Sequence, residues 1–234
     1  KGISYLFLIF SIIYIITITS NFIINFILSI VLGNLIGAHG FFIHELLHGS
    51  VIKNKKIQQI YAIIGYAPYL MTPTYWQYWH NYLHHSNTQV EGKDPDLLPS
   101  GEFHKKALEK NKVYRIIHKF LPNSDSSFRY FYCFIWMNVQ AILGHTYIRF
   151  SGKQWDKINN KKINIEYAIQ IILIMSYLFF IGIKKPLFLI LIPFLIQNYT
   201  IMSFIVTNHY FSKKSKNRKD LDPLYTSYNI KLHP

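Results

Sequence analysis

Cysteine is almost absent: Cys133 is the single thiol in 234 residues. That excludes an intrachain disulfide, a cysteine-rich zinc module and a four-thiolate iron–sulfur cluster. Any bound metal must therefore be held by nitrogen and oxygen donors. Acidic residues are scarce as well, 11 Asp+Glu against 25 Lys+Arg, which leaves a net charge of +14. The most consequential absence is local, because Ile3 to Ile43 contains no Asp, Glu, Lys or Arg. One bilayer crossing needs about 20 apolar residues, so this run is long enough for two. What fills the chain instead is apolar, 50% hydrophobic and 17% aromatic, a composition that excludes disordered and collagen-like classes.

The first run divides into spans at 3–20 and 22–43, turned near Ser20 and Asn21. It continues into a second span without a small-residue cleavage site, so it does not read as a signal peptide. A second pair follows at 167–183 and 186–211, separated by the charges Lys184 and Lys185. The pattern predicts an all-α integral membrane protein, a single domain with four transmembrane helices in two hairpins and a helical cap formed by 44–164 and 212–234. Those cap segments hold 16 and 6 of the 25 Lys+Arg, and Lys1 adds one more on the same side. By the positive-inside rule the cap is cytoplasmic. Lys184 and Lys185 sit on the opposite side, where they are expected to snorkel to the surface. Clusters such as Lys53-Asn54-Lys55-Lys56 resemble phosphate binders, but no recognition fold accompanies them and Ile, Asn and Lys are frequent throughout. No nucleic-acid partner is expected.

Between the hairpins two weaker apolar stretches suit the membrane surface. Ile60 to Met71 is too short to span and reads as re-entrant or interfacial, and Phe128 to Phe150 reads as an interfacial amphipathic helix. Tyr75, Trp76, Tyr78 and Trp79 are placed as an aromatic belt would be.

The chain has 11 histidines, and six of them occupy informative places. His44 and His48 close the second span within His44-Glu45-Leu46-Leu47-His48. Four residues along an α-helix bring the second ring to within about 40° of the first, so both imidazoles address one spot. In His80-Asn81-Tyr82-Leu83-His84-His85, His80 and His84 share a face and His85 reaches its flank. His209 falls at the cytoplasmic end of the fourth span, at the membrane level of His48. Imidazoles without thiolate suit iron, zinc or copper, and one zinc needs only three or four ligands, so this number points to two metals. Two irons with open positions could reduce dioxygen and remove hydrogen from an unactivated alkyl chain, which no acid or base side chain can do. His39 points away from His44 and is read as a packing residue; His145 is read as packing by default, with a role near the metal or substrate as the alternative. His104 and His118 are read as solvated.

His44-x-x-x-His48 after a hydrophobic hairpin, His80-x-x-x-His84-His85, Asp94-Pro95-Asp96, a second hairpin and Thr207-Asn208-His209 together resemble the membrane-bound fatty acid desaturase family. The likeness runs from about Gly33 to the end. It implies two non-haem iron ions held by His44, His48, His80, His84, His85 and His209, dioxygen as co-substrate, and two electrons per turnover from cytochrome b5 or ferredoxin. It also implies a long-chain fatty acyl lipid or acyl-CoA substrate, a place in lipid metabolism, and a multi-pass location in membrane lipid, in the endoplasmic reticulum of a eukaryote or the plasma membrane of a bacterium. Asp94 and Asp96 either hydrogen-bond ligand imidazoles or form a simple turn. One departure is clear. The family's third histidine cluster has no counterpart before His233-Pro234, although Asp222 to Leu232 resembles the segment that leads into it, and the chain begins at Lys1. A fragment trimmed at both ends is expected.

Two rival readings use the same residues. His44-Glu45-Leu46-Leu47-His48 is also the H-E-x-x-H of a membrane-embedded zinc metalloprotease, with Glu45 as general base, but that reading leaves His80, His84 and His85 without a role. A catalytically dead desaturase-like remnant is the third.

Overall fold

The computed structural model describes residues 2–90, 93–94, 96, 101–121, 124–150, 158–209 and 215, with backbone only at 101–104, 107, 146–150, 182 and 206–209. In chain order the helices are α1 (Gly2–Ile18), α2 (Phe22–Leu47), α3 (Lys55–Gly65), α4 (Pro73–Trp76), α5 (His85–Asn87), α6 (Gly101–Lys110), α7 (Lys112–His118), α8 (Tyr132–Phe150), α9 (Asn160–Phe180) and α10 (Ile192–His209). Two segments, Gln77–His84 and Leu187–Leu191, are π-wound, and Ala67–Tyr69, Ser127–Phe131 and Gly182–Lys184 are 3-10 turns. Among the described residues there is no strand, only an isolated parallel bridge between Val90 and Ser215.

Among the described residues three helices are long and apolar enough to cross a membrane: Phe22–Leu47, Asn160–Phe180 and Leu187–Ile205. The first expected span, α1, is apolar but only 17 residues long. It stops early because the chain must turn, and Asn21 then opens α2 by accepting the Ile24 N–H on its side chain. Likewise α9 begins at Asn160 rather than at 167, since Asn159 caps it by accepting the Lys162 N–H. Hydropathy locates apolar runs, whereas caps set where helices end.

Polarity is distributed as a lipid environment demands. Phe7 and Phe10 of α1, Phe22 and Ile23 of α2, and Ile172 and Phe179 of α9 are 60–74% exposed. Asn25, Ser29, His39, Glu166, Gln170, Gln197 and Asn198 are buried. Polar groups in spanning helices face the bundle interior because acyl chains offer them no partner.

The described residues form two compact units. The first comprises Lys1–Gln77 and Phe134–Ile201. Here α1 and α2, joined by three residues, pack around Ile13, Ile16, Leu32 and Leu189. Glycine lets α2 approach α10: a Cβ at Gly33 would meet Ile196 Cβ at 2.6 Å, and one at Gly37 would meet Thr200 at 2.8 Å. Small residues one turn apart are the usual means of bringing spanning helices together. Buried amides join three elements, with Asn198 Nδ2 donating to Asn138 Oδ1 (2.8 Å) and Asn138 Nδ2 donating to the Pro68 carbonyl (2.9 Å). Lys185 does not snorkel freely; its Nζ donates to the Ile16 carbonyl (2.7 Å) and to that of Thr19, satisfying the open C-terminus of α1.

The stretch 60–71 packs one side into this unit and leaves Ile60 and Ile64 exposed. Tyr66, Tyr69 and Met71 are buried, and the Tyr69 hydroxyl donates to the Ile36 carbonyl. The aromatic belt also dissolves in part, since Tyr75 and Trp76 lie inside the protein. The second unit comprises Tyr78–Cys133 and Met202–Pro234 and contains most of the π-wound Gln77–His84, with α5, α6 and α7.

Candidate metal centre

In the first unit, α2 runs without a break to Leu47, so His44 and His48 stand one turn apart on the same face. Their Nε2 atoms are 3.1 Å from each other. Two nitrogens bound to one metal at about 2.1 Å, with the angles of octahedral to tetrahedral geometry, lie about 3.0 to 3.4 Å apart. The observed spacing therefore fits a chelating pair. Trp76 backs it, with its ring edge-on to His44 (5.0 Å) and to His48 (5.4 Å). Trp76 is held there through α4. Glu166, buried in α9, accepts the Thr74 N–H (3.0 Å), the Thr74 hydroxyl (2.7 Å) and the Gln59 amide (2.6 Å). Lys162 lies 3.7 Å from the same carboxylate.

In the second unit the winding of the backbone explains the triple. With i to i+5 hydrogen bonding a π-helix has about 4.4 residues per turn, which puts residues i+4 and i+5 about 30° and 50° to either side of residue i. In an α-helix the i+5 side chain would lie about 140° away. His80, His84 and His85 accordingly converge, with ring centroids 5.0 Å (80–84), 4.7 Å (80–85) and 5.4 Å (84–85) apart.

Two carboxylates stand behind these rings. His84 Nδ1 donates to Asp94 Oδ1 at 2.7 Å, which leaves Nε2 as the lone-pair nitrogen. Asp94 is fixed in turn by the N–H groups of Gln89 (2.7 Å) and Asp96 (2.9 Å). Gln89 adopts φ 64°, in the left-handed region, while its N–H makes that bond. Asp96 accepts the Trp79 indole N–H at 2.5 Å and faces His80 Nδ1 at 3.4 Å. Of the two readings open for Asp-Pro-Asp, the contacts of Asp94 and Asp96 with His84 and His80 match that of carboxylates bonded to imidazoles. Potential ligand atoms of His80, His84 and Asp96 all lie within 4.8 Å of one another.

Burial alone would lower the His84 pKa, but the Asp94 hydrogen bond and the charges of Asp96 and Asp94 outweigh it and raise it above the ordinary value. Burial likewise works to raise Asp96, yet the hydrogen bond with His80, the charges of His84 and His80 and the Trp79 N–H hold it well below the usual carboxylate range. Imidazoles backed by ionised carboxylates are basic nitrogen donors of fixed orientation, and the donor set suits a divalent transition metal.

His209 ends α10, and its side chain lies outside the described residues, as does the stretch from Asp222 to Pro234. His39 is buried and hydrogen-bonded to the Tyr61 hydroxyl (3.0 Å), in keeping with a packing role. His145 is buried between Tyr75 (4.5 Å) and Tyr167 (5.2 Å). The sequence reading missed Trp76 and Glu166. Glu166 had a signal, being the one acid in a helix apolar over most of its length.

Helices fit to cross a membrane, polar groups turned inward and imidazoles backed by carboxylates define an all-helical, membrane-associated protein with the donors for a metal. The chain belongs to the fatty acid desaturase family, whose model, Fatty acid desaturase, matches residues 21–234. Membership carries oxidoreductase chemistry on fatty acids. No curated protein and no solved structure matches the chain.

Proposed function

We propose that the chain desaturates a long-chain fatty acyl substrate, as acyl lipid or acyl-CoA, with dioxygen and two electrons drawn from cytochrome b5 or ferredoxin. The centre is two irons held by His44, His48, His80, His84, His85 and His209. The observation that carries this reading is the π-wound segment, which turns three imidazoles to one side with Asp94 and Asp96 behind two of them.

Bound iron supplies the power to activate dioxygen against an unactivated C–H bond. The protein's own groups do the rest. Asp94 keeps the His84 proton on Nδ1, so that Nε2 is always the donor nitrogen, and Asp96 is placed to do the same for His80. The aromatic wall of Trp76 restricts the rings of His44 and His48. Preset imidazoles lose little freedom on binding, which favours a stable centre over a labile one.

The proposed setting is a multi-pass membrane domain with four spans in two hairpins and the histidines on the cytoplasmic side, in the endoplasmic reticulum or a bacterial plasma membrane. Reporter fusions at Lys93 and Lys214 test the topology, and finding them on opposite sides would end it. The functional test is iron content together with unsaturated acyl product, measured with an electron donor present. Product formed with zinc in place of iron would overturn the reading.

A further inference from the structure

The second unit carries an exposed face that the metal chemistry does not use. On α7, Tyr114, Ile117 and His118 are half-buried, while Val113 and Ile116 on the other side are 63% and 60% exposed. Lys112, Arg115 and Lys119 are exposed beside them. At 100° per residue these five side chains occupy an arc of about 160°, with the two aliphatics along one part and the cations along the rest. Phe120 extends the face, since its ring meets that of Phe128 at 5.3 Å. The turn Ser127–Phe131 then adds Phe128, Tyr130 and Phe131, which are 51%, 70% and 55% exposed. Residues 101–131 hold seven Lys+Arg and three Asp+Glu, a net of +4.

We propose that this face is a contact with an anionic lipid surface. Val113, Ile116, Phe128, Tyr130 and Phe131 enter the boundary between headgroups and acyl chains, and Lys112, Arg115 and Lys119 bind headgroup phosphates. Three features favour lipid over an acidic soluble protein. Large aliphatic and aromatic side chains share the surface with cations, the composition of interfacial membrane segments. Lysine is depleted in protein interfaces but enriched where chains meet anionic lipid. The same chain carries helices fit to cross a membrane, so a bilayer is always at hand. The inference concerns docking alone and stands apart from the metal assignment.

The test uses the full chain in vesicles of phosphatidylcholine with or without phosphatidylglycerol. Nitroxides are placed at Val113→Cys, Ile116→Cys and, as the aqueous reference, Asp125→Cys, each with Cys133→Ser. In phosphatidylglycerol vesicles, labels at 113 and 116 should collide several-fold more with oxygen than with a water-soluble nickel chelate, relative to the label at 125. Adding Lys112→Gln, Arg115→Gln and Lys119→Gln should return them toward the chelate. Chelate access at 113 and 116 equal to that at 125 in both lipids, as a protein-docking face in water would show, overturns the proposal. Hydrogen exchange of the unsubstituted chain guards against misfolded variants. Amides of α7 should exchange more slowly when phosphatidylglycerol is present, and equal rates in the two lipids would also overturn it.

Discussion

The two histidine groups are built on differently wound helices. His44 and His48 ride on α2, a regular α-helix of 26 residues, which can align only every third or fourth side chain on one face. His80, His84 and His85 ride on or just beyond a π-wound stretch of eight residues, which brings in a third ring. Their supports differ too. An indole packs on the first pair, whereas carboxylates hydrogen-bond or face two rings of the triple. The winding thus sets how many imidazoles one helix can converge, and the group behind each ring sets its basicity and tautomer. The arrangement of the pair is shaped by packing, and that of the triple by electrostatics.

The largest effects should come from deleting rings of the triple. His84→Ala and His85→Ala should each remove iron and reduce desaturation to background, read by metal analysis and acyl product. Removing the support rather than the ring should cost less: Asp94→Asn keeps the His84 imidazole and should weaken metal binding by about 10- to 100-fold. Titrating metal into Asp94→Asn and into Trp76→Leu sharpens the contrast, because the indole supplies packing and its loss should cost only a few-fold. Equal losses would break the distinction between the two groups.

Acidity provides the next test. A ligand imidazole must be neutral, and the His84 pKa is raised from its ordinary value, so metal affinity should begin to fall at a higher pH than an unperturbed histidine would dictate. Below that point the loss is about tenfold per pH unit for each proton displaced. In Asp94→Asn the fall should start at lower pH. Without metal the sign reverses for stability. The raised His84 stabilises the fold fully below its unfolded pKa, and that contribution is lost as pH rises through the folded value. Asp96, whose pKa is depressed, contributes above its unfolded pKa and loses that contribution only as pH falls well into acid. The smallest expected effect is at Glu45, which is exposed. Glu45→Gln should change desaturation less than Trp76→Leu does, whereas in a zinc protease it would remove the general base and abolish hydrolysis.

Much of the candidate site's grouping was legible because it is written in local spacing. His44 with His48 and His80 with His84 can be paired from helical periodicity alone, and Asp94 and Asp96 could be named as candidate supports from their place in the loop. The π winding was not legible, since nothing in Gln77 to His84 marks a change from α, and His85 could only be put at the flank. The supports of the pair were hidden for a different reason. Trp76 read as a membrane-belt aromatic because its burial depends on α4, which is tied by a carboxylate from Glu166, 92 residues beyond Thr74. Hydropathy found the apolar runs but misplaced ends such as those of α1 and α9, which are set by turns and by the caps Asn21 and Asn159.

The central claim is that these histidines hold iron in a pair. Metal analysis with Mössbauer spectroscopy on the purified, iron-supplied protein tests it most directly. The account predicts two irons per chain in nitrogen-rich sites, both lost in His84→Ala. A single zinc per chain that survives His84→Ala and His85→Ala would contradict it.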